Sequence, residues 1–121
     1  MFKVYESGFK LDLDNGYTVS VQFSPFNMCS NRQHEKEYKE QLLNKRIEGF
    51  TECRNAETAV KDTVTHEFIP IEGEDVQGYQ TVEELILLLN RVKDFPNTDA
   101  KMTEMKKLKE MSNEISTRNS L

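Results

Sequence analysis

The chain has 121 residues, 36% hydrophobic and 31% charged, with no Trp. That suits one domain (1–121) with a small private core, so self-association is expected to add burial. A formal net charge of −5 excludes non-specific binding to nucleic acid or anionic membrane, which needs a basic footprint, but not a small anionic ligand held by a few arginines.

The N-terminus, Met1-Phe2-Lys3, leads into a polar strand pattern and not into a secretory signal. Phe9, Leu11 and Leu13 alternate with Lys10 and Asp12, and Tyr17, Val19, Val21 and Phe23 alternate with Thr18, Ser20 and Gln22. Both runs read as half-buried strands. A two-residue Asn15-Gly16 turn would set Leu13 against Thr18 and mix the faces. A three-residue Asp14-Asn15-Gly16 loop sets Leu13 against Tyr17, Leu11 against Val19 and Phe9 against Val21. The second register therefore predicts a type I turn with Gly16 left-handed in a bulge.

After the loop Ser24–Arg32, Glu35 to Arg46 reads as a charged helix, with Tyr38, Leu42 and Ile47 near helical spacing. It is an insertion near 34–48 in an α+β core that spans 1–97. Glu57–Thr63 and His66–Ile71 read as two further strands, the latter edge-like because Pro70 donates no ladder hydrogen bond. Phe68 and Pro70 share one face of it, Ile69 and Ile71 the other. Glu72-Gly73-Glu74-Asp75 is a turn. Thr81-Val82-Glu83-Glu84 is a capping box that opens a helix to about Asp94, with a Leu85, Leu88, Leu89, Val92 stripe. Phe95-Pro96-Asn97 ends that helix. Thr98 or Asp99 caps a last one over 98–121, whose stripe of Met102, Met105, Leu108 and Ile115 suits packing on another subunit or on its own domain. The fold class is α+β: a small antiparallel sheet begun by an N-terminal hairpin, packed with a leucine-rich helix and followed by an amphipathic C-terminal helix.

Catalytic and metal signatures are missing from the pattern. Five glycines, none in a Gly-rich loop ahead of a helix, exclude P-loop and Rossmann enzymes. Cys29, His34, Cys53 and His66 match no compact zinc spacing, so no metal and no cofactor are expected. Cys29 lacks the local context of an activated nucleophile and reads as a packed loop residue. Two cysteines suit a reducing cytoplasm, and the longest apolar run, Leu85–Leu89, is far short of a membrane span.

The loop Ser24–Arg32 is richer than a connector needs. Phe23, Phe26 and Met28 offer apolar surface, Asn27 and Asn31 offer amides, and Arg32 offers a fork for phosphate or carboxylate. That set suits a nucleotide-like ligand. It also suits a turn capped by its own Asn side chains with Phe26 plugging the core. Arg54, Tyr79 and Arg91 form a looser second group. Gln77–Thr81, at the N-terminus of the leucine-rich helix, is the segment expected opposite the loop, as a ligand wall or as a plain linker with Tyr79 as a hydrophobic staple.

Asn15-Gly16-Tyr17-Thr18-Val19-Ser20-Val21-Gln22-Phe23, followed by Asn27-x-Cys29-x-Asn31-Arg32, resembles a motif of small phage and prophage proteins. Glu57-Thr58-Ala59-Val60 and Asp75-Val76-Gln77-Gly78-Tyr79-Gln80-Thr81 resemble its later blocks. The charged segment 33–50 and the C-terminal helix depart from the short version of that motif. In size, style and ligand-suited residues the chain also resembles the Thoeris anti-defence sponge proteins. That resemblance implies a non-enzymatic, oligomeric protein of the host bacterial cytoplasm. It would sequester a cyclic ADP-ribose isomer without cleaving it. It further implies aromatic stacking on the base and arginine contacts to pyrophosphate, with Phe23, Phe26, Asn27, Asn31, Arg32, Arg54, Tyr79 and Arg91 as the candidate ligand set. The competing reading is a protein-binding inhibitor of a bacterial defence enzyme, of the anti-CRISPR kind. A thiol or carboxylate hydrolase is the third.

Overall fold

The computed structural model describes residues 1–5, 7–43 and 51–119. Five strands form one antiparallel meander in chain order: β1 (Phe2–Tyr5), β2 (Gly8–Asp12), β3 (Tyr17–Gln22), β4 (Ala56–Asp62) and β5 (Val76–Gln80). The helices are α1 (Glu35–Leu43), entered through a 3-10 turn over Ser30–His34, α2 (Val82–Val92) and α3 (Asp99–Asn119). The chain is thus α+β, as its pattern predicts. Residues 44–50, to which the sequence reading extended the charged helix and in which it placed Ile47, lie outside the described residues.

The β2–β3 hairpin has the face-matching register: Phe9 pairs with Val21 and Leu11 with Val19. Leu13 N–H donates to Tyr17 O at 2.8 Å, Gly16 N–H donates to Leu13 O at 3.1 Å, and Gly16 has φ +92°. This is the bulged three-residue turn, and the left-handed backbone is why a glycine stands there. A further strand, β1, lies ahead of the hairpin and sets Phe2 against Leu11 and Val4 against Phe9.

One face of the sheet carries the core. Val19 and Val60 are adjacent partners across β3 and β4, and both are fully buried. With Val21 and Ile71 they meet Leu88 and Val92 of α2, and Phe9, Leu13, Tyr17, Leu85, Leu89 and Phe95 close the margin. Tyr17 and Phe95 meet edge to face, 5.4 Å between ring centres. The helix start is the expected capping box: Glu84 N–H donates to Thr81 Oγ1 at 3.2 Å and Thr81 N–H to Glu84 Oε1 at 3.1 Å.

Two strand assignments differ from the pattern. His66–Ile71 forms no named strand, only the isolated bridges Lys61–Phe68 and Ile71–Glu74. His66 (φ 62°) and Glu72 (φ 52°) break extended geometry at either end, and Pro70 has no N–H. The face assignment still holds, because Ile69 and Ile71 join the core while Phe68 and Pro70 are exposed. Conversely, Val76–Gln80 is a strand and not a linker. Its polar, glycine-interrupted sequence has no alternating apolar face. It is held by ladder bonds to β4, and sequence periodicity does not report those.

The hairpin turn is also the joint between sheet and helices. Asn15 Nδ2 donates to Val92 O at 2.9 Å and to Phe95 O at 3.2 Å, taking carbonyls at the end of α2. Asn15 O accepts from Thr98 N–H at 3.0 Å, where α3 begins, and Gly16 O accepts from Thr63 N–H at 2.9 Å, past β4. Thr98 caps α3, its Oγ1 accepting from Lys101 N–H at 3.1 Å. A Cβ on Gly16 would collide with Thr98 Oγ1 and with Lys101 Cβ. Asn15→Ala is expected to lower unfolding free energy by about 1–3 kcal/mol in urea titration, because half-buried helix-end carbonyls lose their donor. Gly16→Ala should cost at least ~1–2 kcal/mol, from the left-handed backbone alone.

Candidate ligand site

Between β3 and the 3-10 turn the loop knots itself. Ser24-Pro25-Phe26-Asn27 is a β-turn with Pro25 at its second position, closed by Asn27 N–H to Ser24 O at 3.0 Å. Asn27 Oδ1 accepts from Ser24 N–H at 2.9 Å and from Ser24 Oγ at 2.6 Å, and its Nδ2 faces Gln22 Oε1 at 3.2 Å. Asn31, 8% exposed, donates through Nδ2 to Phe23 O at 2.8 Å and to Glu52 O at 3.0 Å. Both amides therefore hold the loop. Pro25 and Cys29, not Phe26, fill the interior beneath it. Phe26 is 44% exposed and meets Tyr38 of α1 edge to face at 5.1 Å, which corrects its expected place as a core plug.

The loop is also tied to β4, to the residue just ahead of it and to β5. Met28 N–H donates to Glu57 Oε2 at 2.7 Å. Ser30 N–H donates to Asn55 Oδ1 at 2.7 Å, and Asn55 Nδ2 returns to Ser30 Oγ at 2.9 Å. Met28 O accepts from Tyr79 N–H at 2.8 Å. The last bond explains a backbone irregularity. Ala56 pairs with Gln80 and Thr58 with Gln77, so Gly78 and Tyr79 together oppose Glu57 in a bulge. Tyr79 sits there at φ 55°, a conformation that turns its N–H out of the ladder toward Met28. At Gly78 a Cβ would stand 2.8 Å from Met28 Cβ, so the close approach of loop and strand needs that glycine. The segment expected opposite the loop, Gln77–Thr81, does lie against it at these two residues.

A polar, open cavity of about 650 Å³ lies beside the loop, lined by Ser30, Asn31, Gln33, Glu52, Cys53 and Arg54. Of the eight candidate residues only Asn31 and Arg54 line it. Phe23 is half-buried, and Arg32 is exposed at the 3-10 turn. Tyr79 is 51% exposed on the bulge. Arg91 is elsewhere, 3.5 Å from Glu72, on a separate cavity of about 280 Å³ that Gln77, Gln80 and Glu84 also line. Sequence reading gave Asn55, Glu52 and Gln33 no role. The one cue for Asn55 was an amide just ahead of a strand, and its partner Ser30 is remote in sequence.

The Cys29 thiol is fully buried and donates to Ser24 O at 3.3 Å. Loss of solvent raises its pKa to about 11, backbone N–H groups of Asn31 and Arg32 pull it down, and the neighbouring Cys53 thiol raises it. A thiol held neutral in this way is a poor nucleophile. Among the described residues, no three His, Cys, Asp or Glu side chains gather as metal ligands. Compared with known proteins, the chain matches no family profile, no curated protein and no solved structure.

Two outcomes follow from this geometry. The folded thiol keeps its proton from pH 9 to 11, where an unfolded one loses it, so stability should fall as pH rises through that window. Cys29→Ala should flatten the slope, read by urea titration at each pH. Tyr79→Gly should leave stability unchanged or raise it by about 1 kcal/mol, since glycine removes the cost of the left-handed backbone. A marked loss would instead mean that the ring itself holds the bulge.

Proposed function

We propose that the protein is a non-catalytic binding module that sequesters a small nucleotide-type ligand in the cavity beside the loop. The carrying observation is the cavity itself: about 650 Å³, inside the ~300–1,000 Å³ range of small-molecule sites, with Arg54 and Gln33 among the residues that line it. Arginine at such a wall suits phosphate, which its planar fork meets with two donors. The buried Cys29 thiol, beside the Cys53 that lines the wall, is held neutral and is a poor nucleophile. The resemblance to phage anti-defence sponges supplies the ligand class, a cyclic ADP-ribose isomer made in the bacterial cytoplasm. Phe26 and Tyr79 would then serve as accessory surfaces, and Arg91 would take no part.

Isothermal calorimetry with cyclic ADP-ribose isomers tests this reading. One isomer should bind and be recovered intact, and Arg54→Glu should weaken binding at least tenfold, about 1.4 kcal/mol. No heat with any isomer, or a cleaved ligand, would overturn it.

The outer face of α2 favours a second reading, a stoichiometric inhibitor of a bacterial defence enzyme. Val82 and Leu87 are 64% and 69% exposed there, beside Ile86. An exposed apolar cluster of this kind marks protein contact surfaces. A host enzyme captured from bacterial lysate, and lost with Leu87→Lys, would favour this reading. A nucleotide co-purifying with the protein would favour the first.

A further inference from the structure

α3 is 21 residues long, and every residue from Met102 to Ile115 is exposed. Its first turn is anchored, with Thr98 and Lys101 against the hairpin turn, and Asn97 Nδ2 reaches the Met105 sulfur at 3.5 Å. Beyond that turn the helix presents Met102, Met105, Leu108, Met111 and Ile115 to solvent, each 47–59% exposed. Helices in water draw most of their stability from burying an apolar face.

The five residues follow one rule. In a seven-residue frame with Met105 and Ser112 at a, and Leu108 and Ile115 at d, Met102 falls at e and Met111 at g. The b, c and f positions of the exposed stretch are Thr103, Lys106, Lys107, Glu110, Asn113 and Glu114, all polar. That is the pattern of a helix whose a, d, e and g face is covered by another helix.

Charge selects the occupant. Residues 99–119 hold five basic and four acidic side chains, net +1, which leaves −6 on the rest of a chain whose total is −5. The helix is therefore where two copies of an acidic protein meet with least repulsion. In the same frame Glu104 at g stands five residues before Lys109 at e. In a parallel, in-register pair each Glu104 faces the Lys109 of the other copy, the g-to-e pairing that sets partner and orientation in two-stranded coils.

We infer that α3 is a dimerisation helix that pairs in parallel with α3 of a second copy, Leu108 against Leu108 and Glu104 against Lys109. This inference does not rest on the ligand reading, and the two fail separately. Light scattering after size exclusion tests it on the full chain. The wild type should have twice the chain mass. Leu108→Lys and Lys109→Glu should each halve it, and Glu104→Lys with Lys109→Glu should restore it. The substituted sites are exposed, so an unchanged thermal transition of the sheet core serves as the folding control. Three results would overturn the inference: a monomeric wild type, a dimer indifferent to Leu108→Lys, or a charge swap that fails to restore the dimer. In the first of these, capture of a bacterial protein through α3 would assign the face to that partner.

Discussion

The packing of both C-terminal helices on the sheet is referred to Asn15. A helix leaves carbonyls unpaired at its C-terminus, and α2 ends against the sheet, where water does not reach all of them freely. Asn15 supplies the missing donor to Val92 O and Phe95 O. Its own carbonyl fixes the start of α3 at Thr98, and the carbonyl of Gly16 fixes the exit of β4 at Thr63. One tight turn therefore sets the positions of α2, α3 and the β4 end together. The bulged geometry demanded by the strand register is the same geometry that aims Asn15 outward. Gly16 leaves room for Thr98 and Lys101 to sit on the turn.

The opposite end of the sheet is organised by a different device. There the loop after β3 crosses to β5, and polar side chains do the tying. The Glu57 carboxylate, the Asn55 amide and the out-turned Tyr79 N–H all meet the backbone of Met28 to Ser30. The bulge at Gly78–Tyr79 is what frees that N–H. A left-handed, half-exposed tyrosine costs of order 1–3 kcal/mol and persists only where its surroundings hold it. The loop is therefore tied down by several hydrogen bonds, and two of the bonded residues, Ser30 and Asn31, line the cavity beside it. Arg54, the wall's cation, leads directly into Asn55, so the residue that offers charge adjoins a residue locked to the loop.

This arrangement changes which residues carry the chemistry. Asn27 and Asn31 suited capping as well as a ligand, and both are committed to the loop's own backbone and neighbours. Phe26 looked suited to the core, and it lies half outside, edge-on to Tyr38. Arg32, Arg54 and Arg91 are indistinguishable as letters. One is exposed at the 3-10 turn, one lines the large cavity and one is paired with Glu72. Side-chain type restricts the chemistry, and only the partners decide whether that chemistry is already committed.

By itself the sequence determined what local sterics and alternation control. These were the α+β class, the hairpin register with its left-handed Gly16, the Thr81–Glu84 box, the Leu85–Val92 stripe and the stop at Phe95-Pro96. Each follows from residues within about one or two turns of each other, where backbone geometry and face-matching leave a single solution. The tertiary structure decided what depends on remote partners. It made Val76–Gln80 a strand by pairing it with β4, where its own composition argued for a linker. It denied strand status to His66–Ile71 because two left-handed residues and a proline interrupt the ladder. It joined Asn15 to residues 77 and 80 positions away, and Ser30 to Asn55. Such contacts leave no periodic trace, because one hydrogen bond between distant residues needs only one suitable side chain at each end. The cavity is of that kind: its walls come from two segments about twenty residues apart, and neither carries a pattern of its own.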